Sequence, residues 1–190
     1  MEAISTMTIE HIVIASNQPY EKVLEALKTR MGSIEDWKEM TRKLNSIDPT
    51  NTSWEQIVQI IETHLGKSGF TIFNTVEHTP LIALSGKTSR VTQYLAGNPL
   101  FAVQMSRLLP EVALYAPLRF AVYRDEGGRT FVAYDNFLSQ LAQYQREEIT
   151  QIVQVVQDNL RTLLVEATQC KSRDYDGGIC IIMMVSRQPA

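Results

Sequence analysis

Few residues in this chain combine the type and the spacing that chemistry needs. His78 follows Glu77 at the end of an alternating segment, Phe70 to His78, and a Glu–His neighbourhood can support general acid–base work. Successive strand residues point to opposite faces, however, so adjacency alone does not let Glu77 orient His78. His11 falls in an earlier alternating segment, and His64 falls near a helix C-terminus, where a cation suits the dipole. Nothing in the spacing joins the three. Cys170 and Cys180 are too far apart for a CxxC motif and have no histidine between them. They read as two unpaired thiols, and neither a disulfide nor a zinc site is expected. No GxSxG motif or phosphate-cradling loop occurs; Gly127-Gly128 reads as a hairpin, and Gly177-Gly178 precedes a strand-like run. No catalytic residue, metal ligand or cofactor follows from these patterns.

Binding chemistry has more to work with. In Leu118 to Arg124, strand parity puts Arg119, Ala121 and Tyr123 on one face and Leu118, Phe120 and Val122 on the other. An even, four-residue loop at Asp125-Glu126-Gly127-Gly128 would bring Thr130, Val132 and Tyr134 to the Arg119 face and set Arg119 opposite Tyr134. Arg119, Tyr123 and Tyr134 would then form an anion-binding floor, against the plainer reading of a solvated sheet face or a dimer contact. Asn98 opens a helix whose free N–H groups suit an anion, although Asn98 itself would take them as a cap.

These residues need elements to hold them. Thr6 to Ala15 reads as a first strand with one buried face. Ser16-Asn17-Gln18-Pro19 starts a helix whose stripe is Tyr20, Val23, Leu24, Leu27 and Met31, stopped by Gly32. Ser33 with Asp36, then Thr52 with Glu55, read as capping boxes for two short helices carrying Trp37 and Trp54, both core anchors. Phe70 to His78 is a strand, and Leu81 to Leu84 reads as a short strand or extended piece. Arg90 to Ala96 is β-like. Asn98 and Pro99 open a helix with Phe101, Ala102, Met105, Leu108 and Leu109 on its apolar face, and Pro110 and Pro117 bracket an extended connection. Asn136 to Ala167 is a long helical pattern with a break near Arg146. The apolar run from Ile179 to Val185 is an extra strand or an interface element.

The 190 residues suit one domain, or one domain with an extension. A net charge of −3 with basic residues scattered singly gives no nucleic-acid footprint. No apolar run approaches the roughly 18–20 residues that span a bilayer. The first residues carry Glu2 and Glu10 and no basic stretch, so a cytoplasmic protein is expected.

Gly97-Asn98-Pro99, then PLRFAVY from Pro117, then DEGG and TFVAY ending at Tyr134, resemble a bacterial and archaeal family known as Domain of Unknown Function 302. The resemblance runs over about 8–141, interrupted by a helical insert at 32–66. It implies an α+β fold, an antiparallel sheet packed on one face by helices, and a tendency to dimerise; it implies no reaction.

The expected architecture is therefore α+β. It has a sheet of about four to six antiparallel strands, helices on one face, a small helical insert and a long C-terminal helix. Residues 1–141 form the core, and 142–190 pack on that core or on a partner. The expected function is a non-enzymatic, self-associating module, a homodimer, with a small ligand between sheet and helices. Two alternatives stand beside it: an enzyme with a pocket around Arg119, Tyr123 and Tyr134, and a module presenting the helix from Ile149 to Ala167 to another protein.

Overall fold

A computed structural model describes residue 4, residues 6–170 and the backbone of residues 185–186. Among the described residues, six strands form one antiparallel sheet in the order β2-β3-β4-β5-β1-β6. They are β1 (Glu10–Ala15), β2 (Thr71–Glu77), β3 (Arg90–Gly97), β4 (Leu118–Arg124), β5 (Thr130–Asp135) and β6 (Val185–Ser186). Helices α1 (Tyr20–Arg30) and α7 (Glu147–Thr168) cover one face, called the inner face below. The fold class is α+β, as expected.

The core forms where periodicities 2 and 3.6 meet. Ile12 and Ile14 of β1, Phe120 and Val122 of β4, and Val132 of β5 alternate inward and are almost fully buried. Against them α1 lays Tyr20, Val23 and Leu27, and α7 lays Ile149, Val153, Val156, Leu160 and Leu164. These positions recur at i, i+3, i+4 and i+7, the stripe that makes a helix amphipathic. Each such side chain contributes about 1.5–3 kcal/mol relative to exposure. The long helical pattern is broken where expected: after α6 (Phe137–Leu141), Gln145 takes a left-handed conformation at φ 49° before α7 begins.

The stretch between α1 and β2 holds α2 (Ile34–Asn45) and α3 (Trp54–Glu62). Ser33 and Asp36 cap α2 reciprocally, as expected. The α3 box is one residue later than expected: Ser53 and Gln56 make it, not Thr52 and Glu55. Both ends of this stretch meet in space. A Cβ on Gly66 would stand 2.2 Å from the Met31 carbonyl carbon and 2.4 Å from the Gly32 nitrogen, so only glycine permits the crossing.

Four further expectations are corrected. Thr79–Leu84 forms a short helix, α4, with Pro80 in its first turn, not the short strand or extended piece expected over Leu81 to Leu84. Pro110–Tyr115 is a 3-10 turn, not an extended connection. The β4–β5 loop holds three residues, not four. Asp125 N–H donates to Arg129 O at 2.9 Å, Gly128 N–H donates to Asp125 O at 3.0 Å, and Gly128 adopts φ 82°. Arg129 is thereby paired with Asp125, and the odd loop shifts the register by one: Phe120, not Arg119, faces Tyr134. At the end of α7, Cys170 is buried and disulfide-bonded, which corrects the unpaired thiol expected there. The predicted run from Ile179 lies outside the described residues except for its end, where Val185 and Ser186 pair with His11 and Glu10.

Candidate functional site

The register shift separates the expected site residues. Arg119 is exposed on the outer face, paired across to Leu95. Tyr123 shares that face and stacks on Phe131 with centroids 5.1 Å apart; the Arg129 guanidinium lies 5.4 Å from the Phe131 ring. Burial, then the Asp125 charge, pushes the Tyr123 hydroxyl up. Tyr134 points the other way, into the core. It is 3% exposed, and its hydroxyl accepts from Gln157 Nε2 at 3.4 Å. Gln157 in turn accepts the Phe137 N–H at 2.9 Å, so this buried amide ties α7 to both β5 and α6. Asn98 caps α5 (Pro99–Ser106) by accepting the Leu100 N–H at 2.9 Å, at the far end of β3. The structure brings Arg119 and Tyr123 to one face and sets Tyr134 and Asn98 elsewhere.

The histidines are also separate. His11 Nδ1–H donates to Asp135 Oδ1 at 2.7 Å on the partly exposed outer face. His64 is buried, its Nδ1 2.6 Å from Ile60 O and its Nε2 3.3 Å from Lys43 Nζ. His78 precedes α4, and its backbone N–H donates to Val91 O. Among the described residues, no three His, Cys, Asp or Glu side chains gather to hold a metal ion.

Two constellations that no single motif announced lie at opposite ends of the inner face. The first surrounds the Gly97-Asn98-Pro99 turn. An apolar cavity of about 30 Å³ lies there between Leu118, Phe101, Met105, Phe137 and Val156, with Phe73 and Asn98 at its edge. That is room for about one or two waters, in a lining that offers them few partners. Phe73 lies over Gly97, where an added Cβ would come within 3.3 Å of its ring, and Trp37 packs on Phe73 at 4.2 Å. Phe73 and Trp37 are half-buried, so an aromatic pair walls this corner of the molecule.

The second surrounds Thr92. Its hydroxyl donates to Glu77 Oε2 at 2.7 Å and therefore accepts from Tyr20 O–H at 2.6 Å. Burial raises the Glu77 carboxyl, but hydrogen bonds from Thr79 and Thr92 outweigh it and hold the group below its ordinary value. Burial pushes the Tyr20 hydroxyl up. The chain Tyr20–Thr92–Glu77 fastens α1 to β2 and β3. The sequence signalled Tyr20 only as part of a helical stripe, and Thr92 not at all.

A larger open cleft of about 540 Å³ runs between the end of α1 and α7, crossed by an Arg30–Glu166 ion pair at 3.1 Å. Its polar side chains are mostly exposed, and solvent screens them.

The family model described as Domain of unknown function DUF302 matches residues 47–167. The chain belongs to this family. The matched residues include α3 and all but the last residue of α7, together with the Gly97-Asn98-Pro99 turn and the β4–β5 hairpin. A crystal structure of an uncharacterized conserved DUF302 protein from Bacillus stearothermophilus is similar over 83% of this chain and 97% of its own. The TM-score is 0.56 and the identity 13%, a likeness of fold. No curated protein matches. Among the described residues, no helix is long and apolar enough to cross a membrane.

Proposed function

We propose that this DUF302 protein is a self-associating binding module that takes a small apolar ligand between its sheet and its helices. The observation that carries the reading is the cavity beside Asn98. The turn most characteristic of the chain forms its rim, and β4, α5, α6 and α7 contribute its walls. Its 30 Å³ is too small for an organic molecule, so entry requires a wall to move. Phe73, Phe101 and Tyr115 are the half-buried rings of its lining. An apolar lining with one amide at the edge favours a ligand that is largely hydrocarbon or aromatic, with at most one hydrogen-bonding group.

Self-association uses the outer face. Tyr123, Phe131, Ala121, Ala133 and Val13 stand there half-exposed, with Arg119 beside them; aromatic residues and arginine are the types that anchor interfaces. Calorimetric titration with indole tests the ligand half. The wild type binds, and Ala102→Leu, which fills the cavity, abolishes binding while the protein stays folded. Absence of heat with indole, toluene and cyclohexanol alike overturns it. Light scattering tests the other half: a dimer at micromolar concentration becomes a monomer in Phe131→Asp, and a wild-type monomer refutes the dimer.

A further inference from the structure

At the hairpin end of the inner face, far from the apolar cavity, Arg90 of β3 and Arg124 of β4 stand directly opposite each other. Like charges in that position destabilise a sheet unless something anionic lies between them. Only part of that anion is present. Arg90 lies 4.5 Å over the Tyr20 ring and pairs with Glu21. The Arg124 side chain makes no hydrogen bond or ion pair among the described residues, and its Nε is buried without a partner there. A buried guanidinium nitrogen left unpaired is costly and calls for an explanation, most directly a missing acceptor.

The first turn of α1 comes to the same place. Its N-cap is Pro19, which offers no side-chain acceptor to the free N–H groups that follow. Glu21 folds its carboxylate back onto its own N–H and beneath Arg90. That N–H, joined by Arg90 and Arg124, outweighs the penalty of burial and holds the carboxyl below its ordinary value. The Glu21 side chain is 60% exposed. The arrangement is two guanidiniums and a helix N-terminus serving one loosely held carboxylate, and a tetrahedral dianion satisfies it better because it accepts from all three at once.

We propose that Arg90, Arg124 and the N-terminus of α1 form a binding site for a phosphate group, which the Glu21 carboxylate occupies in its absence. The site is independent of the apolar cavity, so either reading can fail without the other. Glu21→Gln removes the internal competitor, and Arg124→Met removes one donor at nearly constant volume.

Calorimetry with inorganic phosphate and with methyl phosphate, at ionic strength fixed by sodium chloride, reads the effect. Glu21→Gln binds about fivefold or more tightly than wild type, and Arg124→Met about tenfold more weakly. Equal affinity for the two probes identifies an esterified phosphate as the ligand, and preference for the inorganic ion identifies free phosphate. In the wild type, phosphate shifts the amide resonances of Glu21 and Lys22, a readout that needs no variant. Glu21→Gln binding no tighter than wild type, Arg124→Met binding as well as wild type, or unmoved Glu21 and Lys22 amides overturns the proposal.

Discussion

Strands β3 and β4 run between two differently built regions. At one end Ala96 and Leu118 face α5, α6 and α7, and the cavity there is lined by apolar and aromatic side chains apart from Asn98 and the Tyr115 hydroxyl. At the other, Arg90, Thr92 and Arg124 face α1 through hydroxyls, carboxylates and guanidiniums. The ends lie about 20 Å apart by the rise of a strand. Apolar packing fails by leaving a void, which costs lost dispersion and can be filled by any molecule of the right shape. A polar network fails by leaving a single unmatched group, which can be filled only by its chemical complement. The apolar end leaves a small void, and the ionic end leaves Arg124 Nε.

The contrast predicts unequal sensitivities. The largest belongs to the apolar end: Phe137→Ala removes a fully buried ring and costs about 3–5 kcal/mol in urea unfolding. A loss under about 1 kcal/mol would mean that this end is already loose. Thr92→Val comes next. It strips Tyr20 and Glu77 of their shared partner and costs about 1–3 kcal/mol, chiefly by leaving the buried Tyr20 hydroxyl unsatisfied, since Glu77 is open to water. Tyr20→Phe added to it restores part of that loss, because the orphaned hydroxyl is then gone.

Alkali gives a smaller and more gradual effect. Burial raises the hydroxyls of Tyr94, Tyr134 and Tyr20 above their unfolded values near pH 10. Their contribution is complete below that pH and is lost as the pH climbs, because the unfolded chain releases those protons first. Unfolding and tyrosinate absorbance therefore rise together above about pH 10; tyrosinate absorbance rising fully before unfolding would contradict the burial of these rings. Smallest of all is Arg124→Met. Removing a half-buried cation whose Nε has no partner among the described residues leaves stability within about 0.5 kcal/mol of wild type or raises it. A loss above about 2 kcal/mol would show that Arg124 has a partner in solution.

Much of the architecture was legible because it rests on local rules. The Ser33–Asp36 box, the Asn98–Pro99 helix start and the α7 stripe each follow from residues within a turn or two of one another. The hairpin register was not legible. It turns on whether Arg129 closes the loop or begins the strand, a difference of one residue that sends Tyr134 to the opposite face. Arg119 and Tyr123 were correctly assigned to one face because they sit on a single strand. The Arg90–Arg124 pairing joins strands separated by α5 and a 3-10 turn, and the cavity needs side chains from several elements. No spacing within the sequence encodes either.

The most direct test of the binding-module account is methyl-detected NMR of the wild-type protein during indole titration. The account predicts shifts concentrated at Ala102, Met105, Leu118 and Val156, which saturate and vanish in Ala102→Leu. Shifts confined to other methyl groups, or none as indole approaches its solubility limit, would contradict it.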